Sequence, residues 1–227
     1  MPKPKLLAIL TSMPTLGPGG PANGTFFPEI AHALRAVHEA GIAYDIASPK
    51  GGAVPLYGED SADVLSGEMA SQAPLQAALK TTIKLSSVEA AGYSAVFLPG
   101  GYGLLWDLVD DVDVQRIIAQ IYAGGGVVSA VCHGPAGLLN VRQNDEFLIK
   151  NRRVTGFTRQ EEIDYGTIDA IPFLLEERLM ASGGVYSKVV SWQEHVEVDG
   201  RLITGQNPAS AHAVGRLIAE MMLGAGS

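Results

Sequence analysis

The 227-residue chain contains one cysteine, Cys132. A single thiol can form neither an internal disulfide nor a thiolate zinc cluster, so no metal site is expected and Cys132 is either a small buried hydrophobe or a reagent. Long apolar runs are also missing. The stretch LLAIL near the N-terminus is far shorter than a signal-peptide core, and no later segment approaches the about 18 apolar residues of a membrane span. That excludes a membrane partner and gives the expectation of a cytoplasmic protein. The 16 lysines and arginines form no basic run and stand against 24 acidic residues, for a net charge of −8. Nucleic acid is therefore excluded as the main partner, and a small neutral or polar substrate fits better. No repeat, composition break or Pro/Gly linker divides the chain, so one domain over 1–227 is expected.

What is present is ample core material, 47% hydrophobic residues, arranged with two alternating periods. Leu6–Leu10, Ala43–Ser48, Ala95–Pro99, Val127–Val131 and Val154–Phe157 are short apolar or β-branched runs bounded by Gly, Pro or Ser, the pattern of buried parallel strands. Between them lie helix-period stretches, Pro28–Ala40, Val112–Tyr122 and a short one starting at His133. Near the C-terminus, VEVDGRLITG carries the hairpin signal Asp199-Gly200. Asn207-Pro208 reads as an N-cap followed by proline at the first helical position. The sum is a doubly wound α/β domain with a mixed sheet edge. Segment 11–27, long and rich in Gly and Pro, is a functional or covering loop.

In an open parallel sheet the ligand sits beyond the carboxyl ends of the strands. Four groups follow strand ends here: Glu29 at the start of a helix, Gly100-Gly101-Tyr102-Gly103, Cys132-His133, and Thr158-Arg159-Gln160-Glu161. A cysteine wedged between a buried strand and a helix sits on a nucleophile elbow. The helix N-terminus is expected to lower its pKa into the range of about 3.5 to 7.5 seen for activated thiols. The competing reading of Cys132 is a core thiol. His133 is either a helix-terminal residue or the proton acceptor and donor beside the thiolate. Glu161 would orient it, with Glu162 and Asp164 as neighbours able to substitute. Alternatively, Glu161 completes a capping box begun at Thr158. Glu29 is either a favourable first-turn carboxylate or, raised in pKa, a group that shares a proton with sulfur. Gly100 and Gly101 form a tight turn whose N–H groups, with that of His133, could make an oxyanion hole.

The ordered segments FFPEIAHAL, SPKGGAVPL, FLPGGYG, AVCHGPAGLL, VTGFTRQEE and VDGRLITGQNPASAH resemble the ThiJ/PfpI superfamily of class I glutamine amidotransferase-like proteins. More narrowly they resemble its heat-shock chaperone and glyoxalase III branch. The resemblance implies a flavodoxin-like sandwich and a homodimer. It also implies catalytic Cys132 and His133, the acidic triad member at Glu161, the helix-borne Glu29, and conversion of methylglyoxal to lactate without a cofactor. Tyr102 departs from the histidine common at that position, which bears on substrate contacts. Two other classes stay open. One is a cysteine-dependent amidase or glutamine amidotransferase using His195-Val196-Glu197; the other is a holdase chaperone or redox sensor.

Overall fold

Seven strands form one sheet in the computed structural model, which describes residues 4–58, 60 and 62–224. Both ends of the expected 1–227 domain thus lie outside the described residues. The strands are β1 (Lys5–Ile9), β2 (Ala43–Ser48), β3 (Ile83–Lys84), β4 (Ala95–Leu98), β5 (Val127–Val131), β6 (Val196–Asp199) and β7 (Leu202–Gly205). Their order is β6-β7-β5-β4-β1-β2-β3. Every neighbouring pair is parallel except the antiparallel hairpin β6–β7. This is the flavodoxin-like, mostly parallel α/β sandwich with a C-terminal hairpin.

The parallel centre is covered on both faces, which is why β5 (VVSAV) is buried at every position. Its one polar residue, Ser129, is satisfied by donating to Val96 O at 2.7 Å. Period-two alternation divides β1 between two cores. Leu6 and Ala8 face a cluster with Phe27, Ile30, Leu34, Val214 and Ile218. Leu7 and Ile9 face the other, with Val114, Ile117, Ile118 and Ile121. The first cluster belongs to α1 (Phe27–Glu39) and the C-terminal helix Ala211–Gly224. These two helices meet closely enough that a Cβ on Gly215 would lie 2.4 Å from Ala33 O. The second belongs to α2 (Val112–Ala123), whose N-cap Asp111 accepts from the N–H groups of Asp113 and Val114. Asn207 caps as expected, its side chain accepting from Ala209 N–H at 3.1 Å. Among the described residues no helix is long and apolar enough to cross a membrane.

One expected strand is corrected. Only Arg153–Val154 is extended and paired, and its partner is Val185–Tyr186, outside the central sheet. The place beside β5 is taken by β7, so residues 155–157 run across the strand ends instead. There Thr155 N–H donates to Thr204 Oγ1 at 2.9 Å, and Phe157 N–H donates to Cys132 O at 2.9 Å. Segment 11–27 is a covering loop up to the short strand Thr25–Phe26, which pairs with Leu56–Tyr57. Phe26 N–H then donates to Gly100 O at 3.0 Å and fastens the loop to the site.

Candidate active site

Cys132 follows β5 at φ +60, a left-handed conformation that costs a residue with a Cβ about 1 kcal/mol or more. Two backbone hydrogen bonds hold it there. Its N–H donates to Gly205 O at 3.0 Å, and its carbonyl accepts from Phe157. Close approach of the turn requires glycine behind it, since a Cβ on Gly134 would lie 2.1 Å from Leu98 O. The following element is a five-residue 3₁₀ turn, Gly134–Leu138. So short a turn has little of the aligned dipole that lowers a thiol pKa. Burial, followed by the charge and hydrogen bond of Glu29, pushes the Cys132 thiol up. The expected lowering is thereby corrected: the tertiary surroundings outweigh the short turn.

Glu29, in the first turn of α1, is fully buried. Burial raises its carboxyl to about 8, against the lowering hydrogen bonds of Cys132 and Gly100. Its Oε2 accepts from Gly100 N–H, while Oε1 has no hydrogen-bond partner among the described residues. Gly100 therefore spends its N–H on Glu29, which corrects its expected place in an oxyanion hole. The His133 N–H is likewise directed at the Cys132 sulfur. Gly101 lies in the same turn at φ +122, where a Cβ would come within 2.3 Å of Gly24 O.

His133 is 1% exposed, and its Nδ1 lies 3.5 Å from Cys132 Sγ. Its Nε2 lies 2.7 Å from Glu162 Oε1. The ring is held between Tyr102 and Phe157, with centroid distances of 4.4 and 4.5 Å. Glu162 belongs to the helix Arg159–Tyr165, here α3. Burial alone would raise its carboxyl. The hydrogen bond and nearby charge of His133, followed by hydrogen bonds from Thr167 and Tyr102, instead bring it below the usual range.

The expected pairing of His133 with Glu161 is corrected by this geometry. Glu161 forms the capping box: its Oε2 accepts from Thr158 N–H and Oγ1, each at 2.9 Å, while its own N–H donates to Thr158 Oγ1. A capping box commits the third helical residue to its own N-terminus. The next residue is rotated by about 100° and faces elsewhere, so the motif itself contained the signal for Glu162. Asp164 is exposed and accepts from Gln160. Tyr102 is buried with its ring toward the cavity, and its hydroxyl is bonded to Thr167 Oγ1 at 2.8 Å and to Glu162 Oε2 at 3.3 Å. It touches both the cavity and the acid that holds His133.

In front of the sulfur is a cavity of about 70 Å³. Its wall is aromatic, made by Phe26, Tyr57, Tyr102, Phe157, Tyr165 and Trp192, with Cys132 and His133 at the floor. Apart from Tyr102, none of these rings was legible as a site residue, because they come from separate segments of the chain with no shared motif. His195 and Glu197 do meet, but through Ser187, whose Oγ lies 2.7 Å from His195 Nε2 and donates to Glu197 Oε1 at 2.6 Å. Among the described residues, the imidazole bonded to Cys132 is that of His133.

Residues 28–221 match the DJ-1/PfpI family. The chain belongs to the DJ-1/PfpI family. Within the family it is 32% identical to Glyoxalase 3 of Candida albicans, over 91% of this chain and 92% of that protein. It is 33% identical to the glutathione-independent glyoxalase HSP31 of Saccharomyces cerevisiae, over 93% and 94% of the two chains. Among solved structures of DJ-1/PfpI-like architecture, the Francisella tularensis Rapid Encystment Protein 24 KDa superposes with a TM-score of 0.90 at 31% identity, covering 96% of this chain and 99% of that one.

Proposed function

We propose that this DJ-1/PfpI protein is an enzyme of the glyoxalase III type, a glutathione-independent lyase that converts methylglyoxal and related 2-oxoaldehydes to 2-hydroxy acids. The observation that carries the reading is the pair of groups at Cys132 Sγ: the His133 imidazole, with Nδ1 at 3.5 Å, and the buried, raised carboxyl of Glu29, hydrogen-bonded to the thiol. Two proton carriers around one sulfur suit a reaction that must move hydrogen between adjacent carbons. The similarity to Glyoxalase 3 and to HSP31 supports the same reading.

The steps follow from these positions. With Glu162 accepting from Nε2–H, Nδ1 is the free base and takes the thiol proton. Sulfur adds to the aldehyde carbon, and the oxygen on that carbon receives the Glu29 proton. The oxyanion role expected of the glycine turn falls to Gly101. Glu29, now a carboxylate, removes the hydrogen from the aldehyde carbon while the imidazolium protonates the neighbouring carbonyl, giving an enediol. Glu29 returns its proton to that second carbon, and His133 takes the hydroxyl proton from the first, leaving a thioester. Water cleaves it, releasing the 2-hydroxy acid and restoring the thiol, the imidazole and the carboxylic acid. A cavity of about 70 Å³ holds roughly five to seven water-sized groups, the scale of a three-carbon oxoaldehyde.

Purified protein given methylglyoxal in deuterated water tests this. Lactate is expected, with deuterium at the methine carbon if the Glu29 carboxyl exchanges with solvent during the lifetime of the enediol, and with protium there if the abstracted hydrogen is returned before it exchanges. Absence of lactate beside rapid hydrolysis of glutamine or peptide amides would instead assign the Cys132 site to a hydrolase. Protection of client proteins by Cys132→Ser would assign a holdase role. The homodimer and the cytoplasmic location belong to the same proposal, and sedimentation checks the first.

A further inference from the structure

Glu161 is more heavily engaged than a helix cap requires. A capping box uses one carboxylate oxygen, and in Glu161 that is Oε2. Its Oε1 accepts three further donors: Trp192 N–H at 2.9 Å, Gln206 Nε2 at 3.1 Å and Asn207 Nδ2 at 2.7 Å. Glu161, Gln206 and Asn207 are all 0% exposed. With Oε1 facing three N–H donors and Oε2 facing the Thr158 N–H, neither position suits the NH₂ of an amide, and the site fits a carboxylate, which only accepts.

All three donors lead to the same stretch of chain. Residues 187–195 contain neither helix nor strand, so side chains must hold their backbone in place. Gln206 accepts from Val189 N–H at 2.9 Å through its Oε1 and reaches Val189 O through its Nε2. Asn207 Nδ2 donates to Gln193 O at 2.8 Å. Between these anchors stands Trp192 at φ +66, an unfavourable conformation for a residue with a Cβ. Its own N–H is the one that Glu161 accepts. The indole meets Phe157 at 5.7 Å and Tyr165 at 6.2 Å between centroids, forming the outer side of the cavity over Cys132.

We propose that Glu161 is a positioning residue for the aromatic wall: by clamping Trp192 directly and through Gln206 and Asn207, it sets which aldehyde substituents reach Cys132. The two adjacent glutamates thus divide the work. Glu162 holds the imidazole, and Glu161 holds the wall that the substrate's apolar group packs against. The substrate arm of this proposal rests on the glyoxalase reading, whereas the geometric arm does not.

The test uses Glu161→Gln and Gln206→Ala, the second leaving the capping box intact, in a Trp106→Phe background so that Trp192 is the only indole. Its emission should shift to the red and become more open to acrylamide in both variants. For methylglyoxal, KM should rise about tenfold while kcat stays within about threefold and its pH profile keeps its shape, the signature of lost ground-state binding. Preference for methylglyoxal over the bulkier phenylglyoxal should fall by about tenfold in kcat/KM. Trp192→Ala should reproduce the kinetic change, and combining it with Gln206→Ala should add little more. A collapse of kcat at unchanged KM, or unmoved Trp192 emission in a folded variant, overturns the proposal. If Glu161→Gln does not fold, Gln206→Ala alone decides. If the wild-type protein turns over no 2-oxoaldehyde, the glyoxalase reading fails. The clamp is then judged by Trp192 emission and by alkylation of Cys132 with iodoacetamide against N-phenylmaleimide. The ratio should shift toward the bulky reagent in Gln206→Ala, and an unchanged ratio overturns the clamp.

Discussion

His133 and Glu162 form a buried pair, Nε2 to Oε1 at 2.7 Å with both side chains 1% exposed. Burial of this kind makes the pair directional: removing either partner leaves a polar group without water or a substitute. The carboxylate therefore decides which ring nitrogen carries hydrogen, and leaves Nδ1 facing the sulfur.

Glu162→Gln should lower kcat by about two to four orders of magnitude, because the amide neither stabilises an imidazolium nor enforces one tautomer. Steady-state kinetics on a variant with native circular dichroism checks this. Wild-type turnover would remove Glu162 from the mechanism.

Glu29 makes stability depend on pH. Its folded-state pKa, about 8, lies above the ordinary value of 4.5. Between those values the native state holds a proton that the unfolded state has lost, so its contribution is complete below the ordinary value and is lost as pH rises through the native one. Unfolding free energy should therefore fall across that window by up to about 1.4 kcal/mol per pH unit from this group. Urea titrations of wild type and Glu29→Gln at several pH values test it. The variant should show a flatter profile, and parallel profiles would mean that Glu29 is not protonated in the native protein.

Gly100→Ala should be inactive and destabilised by about 1 to 3 kcal/mol, the usual cost of overpacking. The added Cβ would lie 2.5 Å from both Cys132 Cβ and Glu29 Oε2, and 3.0 Å from Cys132 Sγ. Activity and thermal melting measure the two effects, and a stable, active variant would show that the turn can move away from Glu29 at little cost.

Tyr102→Phe separates the two faces of that residue. The ring against His133 is kept, and only the hydroxyl bonded to Thr167 and Glu162 is lost. Thr167 Oγ1 still donates to Glu162 Oε2 at 2.5 Å, so kcat should fall by no more than about tenfold, equivalent to roughly one neutral hydrogen bond. A loss as large as that expected for Glu162→Gln would place the tyrosine hydroxyl in direct contact with the reaction.

Much of the architecture was legible in the sequence. Short apolar runs bounded by Gly, Pro or Ser marked β1, β2, β4 and β5, helical spacing marked α1 and α2, and Asp199-Gly200 marked the hairpin, because each of these signals is local. Cys132 at a strand end beside His133 was visible for the same reason, and so was Glu29 at a helix start.

Other features were decided only by residues far apart in the chain. Val154–Phe157 has a strand's composition, but β7 occupies the place beside β5 and sends residues 155–157 across the strand ends. The thiol goes up rather than down because it is buried and because Glu29, 103 positions earlier in the chain, lies against it. The six rings of the cavity wall come from residues 26 to 192, and no local period joins them. The choice between Glu161 and Glu162 lies between these cases. Helix geometry turns two consecutive side chains about 100° apart, so the sequence by itself determined that they point differently. Only the packing of α3 decided that one meets His133 and the other meets Trp192, since a carboxylate buried without water has to go where the donors are.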